Sequence, residues 1–255
     1  MVRNGRLQVT VTKGAFKKSG KLKSKSVIAT ILIFVFAFVS TVILIQIKKK
    51  TLVFEEHYFY FVCADSSKKI GILDNEKEYL KNIGGASVTH FYKENFYLVA
   101  NVYLNLADAE EINAGLINNF PRSEVVTIKT EKVPKQAKNS IKNDVWLLNF
   151  VKFLYEYNKQ FYLNSMDFYT GKQTESDFIS SLVSKSLEFD EFKKNIEGEA
   201  EIYEVFKEYV GLFSLQLTSF LNNFYIAKNK QHYVSAYYVG FVINYLEFYD
   251  SLKIS

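Results

Sequence analysis

The sequence predicts an α+β protein in three parts: an N-terminal transmembrane helix, a mixed domain with the element order β-α-β-β-α-β, and an all-α, bundle-like C-terminal region. Three observations predict this class. Residues 27–47 carry no charge, short aromatic and β-branched runs alternate with helical stretches over 55–132, and helical periodicity continues from 139 to 254. Residues 1–26 form a basic tail before the uncharged run.

The uncharged run predicts a membrane span. It is 21 residues long, and a helix of that length rises about 30 Å, which matches the hydrocarbon core of a bilayer. Eight Lys or Arg residues precede the run and three lysines, 48–50, follow it. The positive-inside rule therefore predicts a single-pass protein of the cell membrane with a cytoplasmic N-terminus and residues 51–255 outside. The alternative is a cleaved signal peptide, whose apolar region is usually shorter, about 7–15 residues.

Charge divides at the predicted membrane. Residues 1–50 hold eleven of the 32 basic residues and no acidic ones, which leaves 21 basic against 27 acidic residues in 51–255, a net charge of −6. Because nucleic-acid binding requires a basic surface, we expect no nucleic-acid partner for the external part. Cys63 is the single cysteine, so no intrachain disulfide can form, which is unusual for a eukaryotic secreted domain of this size and fits a bacterial cell surface better. Cys63 is expected to be a small buried apolar residue rather than a nucleophile.

The mixed domain is predicted from its strand and helix signals. Strands are expected at 57–65, 87–92, 95–103 and 123–130, and helices at 75–83 and 106–120. Gly84 and Gly85 are expected to end the first helix, and a turn at Lys93-Glu94-Asn95 joins the second and third strands. This order is the ferredoxin-like split βαβ arrangement, a four-stranded antiparallel sheet covered on one face by two helices.

The C-terminal region reads as four helices. They are expected at 139–166, from 174 to about 190, at about 199–226 and at about 229–253. Helices of this length can form a bundle around their apolar rows. Two stretches, 213–226 and 233–249, are apolar enough to raise the alternative of further membrane spans, although polar residues such as Gln216 and Asn244 interrupt them.

A family resemblance rests on the middle of the mixed domain. The segments Gly84–Val88, Phe96–Leu104 and Ala107–Glu110 resemble the second half of SPOR (sporulation-related repeat) domains. Tyr103 and Ala109 keep the family's spacing between the aromatic residue that ends a strand and the Ala that starts the second helix. The resemblance covers about residues 55–132 and implies the same β-α-β-β-α-β fold. It also implies binding to peptidoglycan glycan strands, in cell division or sporulation.

Strand alternation selects candidate binding residues. The more apolar set, which includes Phe59 and Phe61, is expected to face the two helices. The other set leaves five candidates on the open face: Tyr58, Tyr60, Tyr97, Asn101 and Tyr103. Aromatic planes pack on the C–H faces of sugars, and amide and hydroxyl groups supply hydrogen bonds, so this surface suits a glycan. The alternative is that these tyrosines pack against the C-terminal helices and meet no ligand.

No motif for catalysis, metal binding or cofactor binding is present: the sequence lacks HExxH, CxxC, GxSxG, a phosphate-binding glycine loop and an EF-hand loop. We therefore predict a non-catalytic bacterial membrane protein that binds peptidoglycan, with no metal or cofactor. The sequence departs from the SPOR pattern at two places. Val62 or Cys63 stands where the family usually has Gln in the first strand, and a Gly of the third strand is replaced around Asn101. The alternative function is a cell-envelope structural or assembly protein whose external domains bind proteins. The helical region 139–254 is the expected surface for envelope or division proteins.

Overall fold

The structure is a computed structural model that describes residues 51–136, 141–197 and 204–254. All of these residues belong to one compact unit, Lys50–Ser255. The predicted tail and the predicted span at 27–47 lie outside the described residues. Within the part of the chain that the structure describes, no helix is long and apolar enough to cross a membrane.

The described elements confirm the α+β class and the helical C-terminal region. The strands are β1 (Thr51–Phe54), β2 (Tyr58–Ser67), β3 (Val88–Tyr92), β4 (Asn95–Tyr103), β5 (Glu124–Lys129) and β6 (Val133–Gln136). The helices are α1 (Asp74–Asn82), α2 (Leu106–Leu116), α3 (Ile141–Tyr169), α4 (Glu175–Glu197), α5 (Glu204–Asn223) and α6 (Lys230–Ile254). Two 3₁₀ turns, Ile70–Leu73 and Phe224–Ile226, precede α1 and α6.

The main sheet has four antiparallel strands in the order β3-β4-β2-β5, as the β-α-β-β-α-β pattern predicts. A second sheet of two strands pairs β1 with β6. It continues the β2–β5 pair, because the backbone N–H of Thr130 donates to the carbonyl oxygen of His57 over 2.9 Å. This ribbon is not among the strands predicted from the sequence, since each of its strands is only four residues long and Pro134 within β6 argues against a strand.

A bulge divides β4 into two parts. Val62 of β2 pairs with Asn101, and the next residue, Cys63, pairs with Val99, so Ala100 is an extra residue on β4. Directly opposed residues of an antiparallel pair point to the same face of the sheet. Val99 therefore shares a face with Cys63, whereas Asn101 shares the opposite face with Val62. The prediction from the sequence assumes an uninterrupted alternation of side chains through 95–103. It therefore assigns one half of β4 to the wrong face of the sheet.

Helices cover both faces of the sheet. On one face, α2 contacts β2, β4 and β5, and α1 contacts β2. On the other face, α6 contacts β3 and β4, and the ring of Tyr245 packs edge-on against Phe59 with centroids 5.7 Å apart. Both of these side chains are fully buried. The prediction of an open second face is therefore wrong where α6 lies, and Phe59 and Phe61 face α6 rather than α1 and α2.

The helical region has an aromatic core that is shared with the sheet. Phe213 of α5 lies at its centre, with ring centroids 4.8 Å from Phe241, 6.3 Å from Phe150 and Phe248, and 6.4 Å from Phe189. All five rings are fully buried. Close aromatic pairs of this kind add specific edge and offset contacts to the burial of apolar area. The core thereby joins α3, α4, α5 and α6, which in turn reach the sheet through α6.

Candidate functional site

The five predicted glycan-binding residues do not form one surface. Tyr97 lies before the bulge and shares the α6 face of the sheet with Val99. Asn101 and Tyr103 lie after it and point to the face covered by α1 and α2, together with Tyr60, which pairs with Tyr103. The bulge at Ala100 is the physical reason for the separation.

Tyr58 is the first residue of β2 and lies two residues before Tyr60 in unbroken register, so it shares the face of Tyr60. It is exposed, and its hydroxyl donates to Oε1 of Glu56 over 3.0 Å. The ammonium of Lys129 lies 5.9 Å from the centroid of the ring. This hydrogen bond, together with the charge of the Glu56 carboxylate, raises the pKa of Tyr58.

Asn101 and Tyr103 line a cavity of about 230 Å³ between the ends of α1 and α2. The helices contribute an apolar wall that includes Leu80, Ile83 and Ile112. Most ligand sites for drug-sized molecules are larger, roughly 300–1,000 Å³. The cavity therefore has room for a single side chain or a similarly small group.

The opposite wall of the cavity is polar. The hydroxyls of Tyr169 and Ser235 lie 2.8 Å apart and share a hydrogen bond. Tyr103 is buried beneath them, and burial raises the pKa of its hydroxyl to about 12. Asn101 Oδ1 accepts from the backbone N–H of Val102 over 2.9 Å. These groups are neutral at physiological pH, so the wall offers hydrogen bonds but no charge.

Two glycines set the approach of α1 to α6 beside this cavity. Gly84 has φ of +93°, which ends α1 as the sequence predicts. A Cβ on Gly85 would lie 2.5 Å from the side chain of Leu80, so only glycine fits there. The carbonyl oxygen of Gly85 lies 2.7 Å from Nδ1 of His232 on α6. The cavity is thus held by contacts between distant parts of the chain.

A second polar cluster surrounds His57, where the β1–β6 ribbon meets the main sheet. The imidazole stacks on Tyr155 of α3 with centroids 3.5 Å apart, and its Nδ1 lies 2.7 Å from the hydroxyl of Tyr245 on α6. Burial lowers the pKa of His57 from its usual 6.5 to about 4, against a smaller opposing effect of Glu55. The sequence offered no signal for this cluster, because its members are 98 and 188 residues away from His57.

Cys63 is buried, as predicted, and burial raises the pKa of its thiol. Within the described ranges, no group of three or more His, Cys, Asp or Glu side chains is placed to hold a metal ion. No protein-family model, curated protein or solved structure matches this chain. The resemblance to SPOR domains therefore stays a prediction from the sequence.

Proposed function

We propose that this chain is a non-catalytic, membrane-anchored protein of the bacterial cell envelope whose external region binds other proteins. The observation that supports protein rather than glycan as the ligand is the position of α6. It occupies the sheet face against which sugar rings would stack, and Phe59 beneath it is fully buried. A glycan would have to displace α6 and its contacts with β3 and β4.

The anchor in this proposal rests on the sequence. The uncharged run at 27–47 and its flanking charges supply the span and its direction. Three residues, 48–50, separate the run from β1. An extended chain of three residues covers about 10 Å, so the tether would be short. An acidic external region of net charge −6 favours basic protein partners over anionic ones.

Peptidoglycan binding is the second candidate function. One observation favours it: Asn101 and Tyr103, two of the five predicted residues, line the same cavity and present an amide and a hydroxyl beside apolar side chains. This combination suits the amide and methyl groups of an N-acetylated sugar. In this case only one sugar would enter the cavity, because its volume is about 230 Å³.

Two measurements test the leading proposal. A reporter fused to the C-terminus should be active only outside the cytoplasm, and activity in the cytoplasm would contradict the proposed topology. Chemical crosslinking in intact cells should then join the chain to other envelope proteins. Failure to form any such adduct, combined with firm binding to purified sacculi, would favour the glycan candidate instead.

A further inference from the structure

The main sheet ends at β3, which pairs with β4 alone among the described strands. All five residues of β3 keep part of their surface exposed, whereas most of β2, inside the sheet, is buried. Phe91 is the most accessible of the five, with an exposed fraction of 57%, and its ring lies against that of Phe96 with centroids 4.9 Å apart. An exposed edge strand offers its free backbone groups to any strand that can pair with it.

The hairpin geometry determines which backbone groups of β3 point outward. A two-residue turn, 93–94, joins β3 to β4, and both of its residues have positive φ. In such a hairpin the pair that flanks the turn, here Tyr92 with Asn95, is hydrogen-bonded, and hydrogen-bonded pairs then alternate with non-hydrogen-bonded ones. The N–H and C=O groups of Thr89 and Phe91 therefore point away from β4, toward the free edge.

The composition of β3 leaves this edge unprotected. Natural edge strands are commonly protected by Lys, Pro or a bulge. Residues 88–92, VTHFY, contain no Lys, Arg, Asp, Glu or Pro, and their register with β4 is regular. Burial lowers the pKa of His90, so its imidazole is uncharged at neutral pH. The other edge of the sheet, β5, differs, because it begins with Glu124 and ends with Lys129, both of which are exposed.

We propose that β3 pairs with β3 of a second copy of this chain, antiparallel and about a two-fold axis at His90, so that the two four-stranded sheets join. In this register the outward groups of Thr89 meet those of Phe91 of the other copy, and the reverse pair repeats the contact across the axis. The register overlaps all five residues of the strand. Self-association of this kind goes beyond the proposed function and does not depend on it.

The strand is complementary to itself in this register, which favours a second copy over an unrelated strand. Thr89 lies opposite Phe91, and Val88 opposite Tyr92, so these cross-strand pairs join a β-branched with an aromatic side chain, a combination that stabilises sheets. At the axis two uncharged His90 side chains meet, and no like charges oppose each other. Two-fold pairing of identical surfaces is also the commonest arrangement of protein oligomers.

The contact is short compared with a standard interface of about 800 Å² per partner, so we expect a dissociation constant of roughly 10–100 µM. Two copies held in one membrane by the proposed anchor would meet at a higher effective concentration. Sedimentation velocity of the full chain in an uncharged detergent should therefore show a dimer fraction that grows with protein concentration. A chain that stays monomeric up to several hundred micromolar, on the order of ten times that constant, would overturn the proposal.

Two lysine substitutions assign the dimer to β3. Phe91→Lys puts a charge on the free edge and should weaken the dimer by at least about tenfold. Leu215→Lys is the matched control, because Leu215 is an apolar residue of α5 with an exposed fraction of 67%, and it should leave the dissociation constant unchanged. Circular dichroism should show both variants folded. Equal effects of the two substitutions would place the contact elsewhere and refute the proposed edge.

Disulfide trapping tests the register itself. Residue 90 would lie opposite its own copy in a non-hydrogen-bonded pair, with Cα atoms about 4.5 Å apart, which a disulfide can bridge. His90→Cys should therefore give a covalent dimer on mild oxidation. Two cysteines from Thr89→Cys would lie about 7–8 Å apart on the diagonal and should give little, as should the wild-type chain, whose Cys63 is buried. Equal trapping at positions 89 and 90 would refute this register.

Photocrosslinking in cells tests the identity of the occupant. With p-benzoylphenylalanine in place of Phe91, we expect adducts of twice the mass of the chain that contain this chain alone. Adducts with a different protein and none with a second copy would assign the β3 edge to that protein and overturn the proposal.

Discussion

The stability of the folded region should depend on pH through His57. Burial holds the pKa of this imidazole at about 4, whereas the unfolded chain titrates near 6.5. Between these two values the unfolded state binds more protons than the folded state, so the free energy of unfolding rises with pH. The contribution of the neutral His57 to the free energy of unfolding is fully present above pH 6.5 and is lost as the pH falls toward 4. The physical cause is the cost of placing a charged ring between Tyr155 and Tyr245.

The size of the effect follows from the two pKa values. A change of the pKa from 6.5 to about 4 sets an upper limit of roughly 3 kcal/mol on the pH-dependent part of the free energy of unfolding. Because the ring is only half-buried, solvent screens part of this cost, and we expect about 1–2 kcal/mol between pH 7 and pH 4.5. Urea unfolding can be followed by fluorescence of Trp146, the single tryptophan, whose ring stacks on Phe150 with centroids 5.2 Å apart.

The matched comparison is His57→Phe, which keeps an aromatic ring against Tyr155 and removes the titrating group. The carboxylates and His90, whose pKa burial also lowers, titrate in both proteins, so the difference between the two pH profiles isolates His57. The wild-type chain should lose about 1–2 kcal/mol more than the variant on acidification. Parallel profiles, with a constant difference in unfolding free energy from pH 7 to 4.5, would refute the argument.

Three further predictions concern the core, the turns and the thiol. Phe213→Ala should cost about 3–5 kcal/mol of unfolding free energy in urea, and a loss below about 1 kcal/mol would show that the aromatic core is not packed as described. Gly84→Ala should destabilise the fold by about 1–2 kcal/mol because φ at this position is +93°. Gly115→Ala, on an open face of α2, should stabilise the fold by about 0.5–1 kcal/mol. Melting temperatures check the sign of both changes. Cys63 should react with a thiol reagent only after unfolding, and rapid reaction of the native chain would contradict its burial.

Local sequence signals predicted much of the fold. Gly84 and Gly85 ended a helix, alternating aromatic runs marked four strands, and the 3.6-residue periodicity marked four C-terminal helices. Such signals act over a few residues, so they are visible in one sequence. They were weakest at β1 and β6, where short strands and Pro134 concealed a ribbon whose two halves lie far apart in sequence and pair only in the folded chain.

The candidate site was harder to predict because it depends on register and on tertiary contacts. A single extra residue, Ala100, reverses the face of half of β4, and nothing in 95–103 marks the bulge. The position of α6 over one face of the sheet did leave a signal in the sequence. Tyr237, Tyr238, Phe241 and Tyr245 fall on more than one side of that helix, and all are buried. A helix that is apolar on several sides is buried on several sides, which places α6 between the bundle and the sheet.

The central claim is that α6 covers the sheet face on which a glycan would bind. Co-sedimentation of the full chain with denuded peptidoglycan sacculi tests this claim most directly. The result expected is no more chain in the pellet than for an unrelated detergent-solubilised membrane protein, with no change on Tyr97→Ala or Asn101→Ala. Saturable sedimentation that either substitution abolishes would contradict the account and restore peptidoglycan as the ligand.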